Sequence, residues 1–139
     1  MINIKLNNIL FISCICFLLL FTACAKLKGE FVIKKKFDET YKKIKTNSLE
    51  FKSDEKIEWA FIPKKNTKRY KLAITLMKKK LVWVDVRTHI DHVDRFKKAL
   101  YGTIENLNEG KYYIVITDVK EKIIIDKLHF SIYKDIDSQ

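Results

Sequence analysis

The sequence predicts an all-β fold: an antiparallel sandwich of two sheets with one short connecting helix over about residues 90–101. From Lys56 onward, apolar and polar residues alternate in short runs that are rich in aromatic and β-branched residues. Polar turns separate these runs. The roughly 80 residues of this part can build one hydrophobic core but not two domains. A small α+β meander is the alternative fold.

The first part of the chain is a predicted export signal. Lys5 lies in a polar opening, an apolar run of about 13 residues follows over Ile9–Phe21, and Thr22 and Ala23 are small. An α-helix needs about 20 residues to cross a hydrocarbon layer of about 30 Å, so the run is too short for a permanent transmembrane helix. We therefore predict that residues 1–23 are a signal peptide.

The end of this segment resembles the lipobox of bacterial lipoproteins, of which spirochaetal proteins use loose forms. The usual lipobox is Leu, a small residue, Ala or Gly, and then Cys, and the chain reads Phe21-Thr22-Ala23-Cys24. The resemblance implies that Cys24 receives a thioether-linked diacylglycerol and, after cleavage, an N-acyl chain. Two or more acyl chains hold a protein durably to a bilayer. An ordinary cleaved signal peptide with a free Cys24 is the alternative.

This resemblance predicts a protein anchored to the bacterial cell envelope, at the outer membrane, with the surface and periplasmic faces both open. Cys14 and Cys16 would be removed with the signal peptide, which leaves Cys24 as the single cysteine. The mature chain then forms no intrachain disulfide and no cysteine-ligated metal site.

Residues 24–55 are predicted to be an acylated tether with an optional strand. This segment is dense in charge and carries little apolar surface to offset the entropy of ordering it. Two alternating pairs, Phe31 with Ile33 and Leu49 with Phe51, could each add a strand to the domain that follows. Residues 37–46 could instead hold a short helix.

The sandwich domain is predicted over residues 56–135, with a tail at 136–139, and it opens with three strands. In each strand the apolar residues occur at every second position and so share one face. These faces are Ile57, Trp59 and Phe61; Tyr70, Leu72, Ile74 and Leu76; and Val82, Val84 and Val86. Pro63 ends the first strand, and polar turns follow at residues 63–68 and 78–80.

A helix and a hairpin complete the predicted domain. Over residues 90–101 the apolar positions recur every three or four residues, Asp91 can cap the first turn, and Gly102 can close the last. Two long strands follow, beginning at about Tyr112 and ending at about Tyr133, and the sequence DVKEK forms the turn between them.

The segment before the closing hairpin resembles the tyrosine corner of immunoglobulin-like and fibronectin type III-like sandwiches. Its sequence, Leu107-Asn-Glu-Gly110-Lys-Tyr112, follows the pattern Leu-x-x-Gly-x-Tyr. Gly110 supplies a backbone conformation that other residues resist. The resemblance implies that the Tyr112 hydroxyl bonds a backbone group a few residues upstream, where the chain turns from one sheet into the other.

The charge balance is strongly basic, with 28 Lys and Arg against 17 Asp and Glu and a formal net charge of +11. Such a surplus favours anionic partners, such as phospholipid headgroups, nucleic acid or sulfated glycans. AT-rich coding and the solubility of a membrane-tethered domain explain the same composition.

Two basic turns, together with Trp83 on the face opposite the valines, are the candidate ligand site. The tether strand could equally cover Trp83. If both turns lie at the same end of the sandwich, they form a positive patch for sulfate or phosphate groups. Lysine favours loose electrostatic contact over bidentate recognition. Solvated loops without a ligand are the alternative. The residues are Lys64, Lys65, Lys68, Arg69, Lys71, Lys78, Lys79, Lys80 and Trp83.

The only cluster with metal-ligand character is His89, Asp91 and His92, with His129 as a distant third imidazole. At the start of a helix His89 and His92 can point the same way, and imidazole with carboxylate suits zinc. The spacing matches no zinc signature, however, and a capping role for Asp91 explains the same residues. No metal and no cofactor other than the lipid is therefore predicted.

The sequence predicts a non-catalytic protein, because it has no GxSxG nucleophile motif and only three glycines. We expect a lipid-anchored envelope lipoprotein that acts as a binding or adhesion module through basic loops or a sheet edge. Its partners would be the membrane and an anionic glycan or an envelope or host protein, without specific nucleic-acid binding. A periplasmic structural or assembly accessory is the alternative, and metal binding through His89 and His92 is the third option.

Overall fold

The computed structural model describes residues 26–44, 49–65 and 68–134. The signal peptide, Cys24 and the tail predicted from the sequence lie outside these residues. Within them the chain forms nine strands and no helix. The strands are β1 (Gly29–Lys35), β2 (Lys42–Lys43), β3 (Leu49–Lys52), β4 (Ile57–Pro63), β5 (Tyr70–Lys79), β6 (Trp83–Val93), β7 (Leu100–Ile104), β8 (Gly110–Asp118) and β9 (Ile123–Tyr133).

The strands form two sheets that pack face to face, which confirms the predicted sandwich. One sheet has the order β2-β1-β4-β7 and the other β3-β9-β8-β5-β6. Neighbouring strands are antiparallel, except that β3 runs parallel to β9. The adjacent strands β9, β8 and β5 in one sheet, facing β4 and β7 in the other, agree with the arrangement of immunoglobulin-like sandwiches.

The core lies between the sheets and is built from the alternating residues that the sequence predicts. Residues Ile57, Trp59 and Phe61 of β4 are buried, and Leu72 and Ile74 of β5 face them from the other sheet. The closing strands add a third and fourth row, made by Tyr112, Ile114, Ile116, Leu128, Phe130 and Ile132. Each large apolar side chain that leaves water contributes about 1.5–3 kcal/mol to the gross burial term.

The sandwich takes in much of the segment for which the sequence predicted a tether, because both optional strands form. Phe31 of β1 packs edge-on against the rings of Trp59 and Phe61, with centroid distances of 5.7 and 5.4 Å. Phe51 of β3 is buried against Phe130. Even Leu27, before β1, belongs to the core. The described part of residues 37–46 forms a turn and β2 rather than the optional helix.

The helix predicted over residues 90–101 is wrong. Strand β6 continues to Val93, a turn follows, and β7 begins at Leu100. The Asp94 carboxylate accepts hydrogen bonds from the backbone N–H groups of Phe96 and Lys97, at 2.8 Å each, and this closes the turn. The helical spacing is a coincidence, because Val93 and Leu100 are buried in strands of different sheets.

The predicted burial of the third valine row is also wrong. Strand β6 lies at the edge of the five-stranded sheet, where Val82 precedes the strand and is exposed together with Val86. The pairing shifts by one residue there: Leu76 is opposite Arg87, and Met77 is opposite Asp85. Val86 is thus the extra residue of a β-bulge, a common device at sheet edges.

The tyrosine corner forms as the resemblance implied. The Tyr112 hydroxyl donates a hydrogen bond of 2.6 Å to the backbone carbonyl of Asn108. The Tyr112 ring stacks on Phe130 at 5.5 Å. Gly110 has a φ of 149°, which a residue with a side chain adopts only with strain. At this point the chain leaves the four-stranded sheet and enters the centre of the five-stranded sheet.

We predict that Tyr112→Phe lowers the free energy of unfolding by about 1 kcal/mol, because it removes one hydrogen bond and keeps the stacked ring. Urea denaturation measures the change. The control is Tyr101→Phe in β7, whose side chain is 63% exposed; a surface change of this kind shifts stability by less than about 0.5 kcal/mol. Equal effects of the two variants would contradict a stabilising role for the corner.

Candidate functional site

An aromatic cluster lies on the outer face of the five-stranded sheet, away from the core. It consists of Trp83 of β6, Tyr113 of β8 and His129 of β9. The ring centroids of Trp83 and Tyr113 are 4.4 Å apart, and those of Tyr113 and His129 are 5.2 Å apart. Strand β5 lies between β6 and β8, so the indole reaches across a strand to make the first contact.

The cluster faces outward because successive residues of a strand point to opposite faces. Tyr112 enters the core, so Tyr113 must face out, and His129 is its direct cross-strand partner. Tyr113 is nevertheless only 8% exposed, because its neighbours on the outer face cover it. Trp83 is half-buried and His129 is exposed. The result is a compact aromatic cluster in which Trp83 and His129 reach solvent and Tyr113 lies between and beneath its neighbours.

Two lysines place their ammonium groups over this surface. The Lys79 Nζ atom lies 5.5 Å from the ring centroid of Trp83, and the Lys127 Nζ atom lies 5.1 Å from that of Tyr113. Exposed cation–π contacts of this kind contribute about 0.5–1 kcal/mol each. Flat rings with cations beside them can stack a planar or ring-shaped ligand and neutralise an anionic group on it.

The structure does not bring the two predicted basic turns together. They flank β5, which has ten residues and is therefore roughly 30 Å long. The predicted residues Lys79, Lys80 and Trp83 lie at one end of it, and Lys78 points toward the core side, with Nζ 5.1 Å from the Tyr112 ring. The other predicted residues lie at the far end; they are Lys64, Lys65, Lys68, Arg69 and Lys71.

The far end of β5, named here the basic end, is strongly positive. Strand pairing places four loops there: residues 26–28, 64–69, 94–99 and 119–122. Their described residues include eleven Lys or Arg and two Asp or Glu. The loops of the opposite end are residues 36–41, 53–56, 80–82, 105–109 and the described residue Lys134. They include four Lys and six Asp or Glu.

The basic end also contains a cleft of about 320 Å³. Cationic side chains line its walls, and Leu27 and Ile123 contribute apolar surface. The carboxylate of Asp118 at this cleft accepts hydrogen bonds from the backbone N–H groups of Lys120 and Glu121, at 2.8 and 3.1 Å. The cationic residues of the cleft are Lys26, Lys68, Arg69, Lys71 and Lys120.

The candidate metal residues do not converge. His89 and His92 were expected to point the same way on a helix, but in β6 an odd spacing puts them on opposite faces of the sheet. Lys97 holds both carboxylate oxygens of Asp91, at 2.6 and 2.7 Å. No group of three metal-ligating side chains occurs within the described residues.

A small cleft of about 60 Å³ opens where the sheets separate between β6 and β7. Its floor includes Trp59 and Ile74, and its rim includes Arg87, His89 and Glu105. Small-molecule sites usually measure about 300–1,000 Å³, so this cleft is a packing gap rather than a ligand site.

The sequence indicated Lys79 and Trp83 but missed Tyr113 and Lys127. One signal was available, since placing Tyr112 in the core requires Tyr113 to face outward.

No protein-family model matches this chain, and no curated protein matches it either. Within the described ranges, no helix has the length and the apolar composition that are needed to span a bilayer.

The ion pair between Lys97 and Asp91 predicts a pH-dependent contribution to stability. Partial burial acts to raise the pKa of Asp91, but hydrogen bonds from Lys97 and from the backbone N–H of His92 outweigh it, so the pKa lies below the ordinary 3.8. A carboxyl whose pKa is lowered by folding stabilises the fold above its unfolded pKa. That stabilisation disappears as the pH falls through the folded pKa.

We therefore expect Lys97→Met to cost about 0.5 kcal/mol of unfolding free energy at pH 7, as for other partly exposed pairs. The cost should shrink toward zero as the pH is lowered below 3.8 and Asp91 becomes protonated. Chemical denaturation at several pH values measures it. Lys98→Met, at the exposed neighbouring position, should show no such pH-dependent difference from the parent. A cost for Lys97→Met that is unchanged at low pH would contradict the ion-pair explanation.

Proposed function

We propose that this chain is a lipid-anchored lipoprotein of the bacterial cell envelope and a non-catalytic binding module for an anionic glycan. The observation that carries the proposal is the aromatic cluster with Lys79 and Lys127 over its rings. It supplies two kinds of contact on a surface open to solvent. The acyl chains on Cys24 would hold this surface at the envelope.

The chemistry of the cluster fits a sugar that carries sulfate or carboxylate groups. The apolar C–H face of a sugar ring can stack on the indole of Trp83, and a lysine binds an anionic group as a point charge. The Tyr113 ring packs against the indole with a centroid distance of 4.4 Å and a tilt of 55°, so the indole loses little freedom on binding. Aromatic side chains combine a large apolar area with a polar end, which suits an exposed binding surface.

Anchoring through Cys24 draws its support from the sequence alone, since Cys24 lies outside the described residues. The polar opening, the apolar run and the residues Phe21-Thr22-Ala23-Cys24 occur in the order that a lipoprotein signal requires.

The alternative function is a structural or assembly accessory that binds another envelope protein through the edge of β6. This strand has 11 residues, and Val86 and Ile90 are exposed on it. A long exposed edge can accept a strand from a partner. The bulge at Val86 acts against such pairing, because it bends and twists the strand. The aromatic cluster therefore remains the better-supported site.

We predict that Cys24→Ser releases the protein from membranes or leaves an uncleaved precursor. Without the thiol there is no atom to carry the diacylglycerol, and a single remaining acyl chain would hold only marginally. Membrane fractionation and mass spectrometry of the N-terminal peptide measure the outcome. An N-terminal peptide of the parent protein that carries no lipid, or a Cys24→Ser variant that is still acylated, would overturn the anchor.

We predict that Trp83→Ala weakens binding to a soluble sulfated polymer by about tenfold, since loss of an aromatic anchor costs on the order of 1–2 kcal/mol. Lys79→Ala should weaken binding less and reduce its dependence on salt. The matched controls are Phe37→Ala and Lys36→Ala, which remove an exposed cation–π pair outside the cluster, with Nζ 5.8 Å from the ring.

Binding is measured by titration at several salt concentrations, with thermal unfolding as the check that each variant is folded. Affinity should fall as the ionic strength rises. If the cluster variants and the controls have equal effects, the aromatic cluster is not the site, and the β6 edge becomes the favoured surface.

A further inference from the structure

We propose that the basic end is a second binding surface and that it rests on the anionic phospholipid headgroups of the membrane that holds the anchor. This inference rests on the proposed acylation of Cys24 for its geometry, but the surface should bind anionic lipid without the acyl chains. The partner is a bilayer surface. The sandwich would stand on it with the opposite end directed away from the lipid.

Cys24, the proposed anchor, lies close to the core along the chain. Only Ala25 and Lys26 separate Cys24 from Leu27, which is 6% exposed and packed in the core. A chain reaches at most about 3.6 Å per residue, so the Cα atoms of Cys24 and Leu27 lie within about 11 Å of each other. The headgroup layer on each side of a bilayer is itself about 5–8 Å thick. Acylation of Cys24 therefore brings the end of the sandwich that carries Leu27 against the headgroups.

The end of the sandwich that carries Leu27 is also the positively charged end. Its loops hold eleven Lys or Arg against two Asp or Glu in the described residues, whereas the acidic side chains outnumber the lysines at the opposite end. Each lysine close to an anionic leaflet is attracted to its negative surface potential, and the attraction decays over a Debye length of about 8 Å. The cations therefore occur at the end that is within that distance of the lipid.

Ion pairs occur at both ends of the sandwich, but one basic loop has none. Toward the opposite end lysines are paired within the chain: Lys35 with Glu55 at 3.4 Å, and Lys56 with Glu105 at 3.6 Å. At the basic end Lys97 pairs with Asp91 at 2.6 Å and Lys120 with Glu121 at 3.9 Å.

Within the described residues the four cations of the β4–β5 loop make no direct ion pair. Lys64 and Arg69 are attracted at longer range to Asp126 and Asp94, and the Lys68 Nζ atom lies 5.1 Å from the ring centroid of Tyr70. All four cations of the loop are exposed and can attract external anions; they are Lys64, Lys65, Lys68 and Arg69.

The shape of the basic end also suits a lipid headgroup. Its cleft of about 320 Å³ has cationic walls and apolar surface from Leu27 and Ile123, as a phosphate with the beginning of an acyl chain requires. Phe96 stands on the β6–β7 turn with 80% of its surface exposed, and the Arg95 guanidinium carbon lies 4.6 Å from its ring centroid. An exposed aromatic beside cations is suited to the membrane–water interface.

A soluble polyanion could neutralise the cations of the basic end, but it would not bind the other groups at that end. The acylated N-terminus and Phe96 belong to the same end, and a bilayer is the one partner that receives both together with the cations. A polyanion would also have to displace the membrane from this end once Cys24 is inserted. The observations therefore favour the bilayer, and binding to a soluble polymer alone is an outcome that the experiment must separate.

The experiment uses the unacylated chain of residues 24–139 and preformed vesicles. All nine strands lie within residues 29–133, so this chain contains the entire described fold. One set of vesicles is neutral phosphatidylcholine, and the other contains about 30% phosphatidylglycerol, which gives a negative surface potential. We expect at least about tenfold tighter binding to the anionic vesicles and a loss of at least about tenfold when salt is raised to shorten the Debye length.

Matched charge reversals test the location of the surface. Lys64→Glu with Lys65→Glu at the basic end should weaken vesicle binding by about tenfold or more. Lys36→Glu with Lys80→Glu at the opposite end changes the net charge equally and should weaken it by less than about twofold, because these residues lie well beyond a Debye length from the bilayer. Thermal unfolding confirms that both variants are folded.

The two exposed phenylalanines supply a second matched pair, which does not change the charge. Phe96→Ser should weaken binding to anionic vesicles several-fold, whereas Phe37→Ser should not, although Phe37 is the more exposed residue at 92%. Equal effects within either pair, or binding to a sulfated polymer without binding to anionic vesicles, would overturn the docking surface. Because the protein in this experiment carries no acyl group, such a failure does not contradict the acylation of Cys24. An N-terminal peptide without lipid would overturn that acylation alone.

Discussion

The rest of this sandwich depends on the placement of Tyr112, whose ring lies in the core and whose hydroxyl donates a hydrogen bond to the carbonyl of Asn108. This placement sets where the chain leaves one sheet and begins β8, which pairs with both β5 and β9 at the centre of the other. A slip of one residue in a strand exchanges its two faces. Here it would turn Tyr113 into the core and Tyr112 outward, so the core and the aromatic cluster would be lost together.

The sequence was informative wherever one face of a strand is covered. In β5 and β9 the alternation reflects real burial, and the predicted core rows of β4 and β8 are buried as well, although residues 112–116 of β8 are buried on both faces. The corner motif carries its own local chemistry. It was misleading for β6, because an edge strand can be apolar without being covered, as Val86 shows. The helical spacing at residues 90–101 arose because a strand end, a tight turn and a strand start happen to place Val93 and Leu100 seven residues apart.

The lysine-rich N-terminal segment made β1 and β3 only optional in the prediction, for a related reason. Charge density describes the whole segment, but a strand needs only a few buried residues, and Phe31 and Phe51 supply them. The site was predictable only in part, because Trp83 and Lys79 are close in sequence whereas Tyr113 and Lys127 reach them across strands. The separation of the two basic turns could have been predicted, since the turns that flank a single strand must lie at its two ends.

The polarity of the charge along the strands also bears on how copies of this protein meet each other. In solution a molecule with a basic end and an acidic end favours head-to-tail contacts, which extend into chains of molecules unless they close into a ring. On a membrane the anchored copies would all stand the same way up, so that like ends lie side by side and repel. Attachment would thereby keep the molecules apart and leave the outer face of each five-stranded sheet accessible from the side.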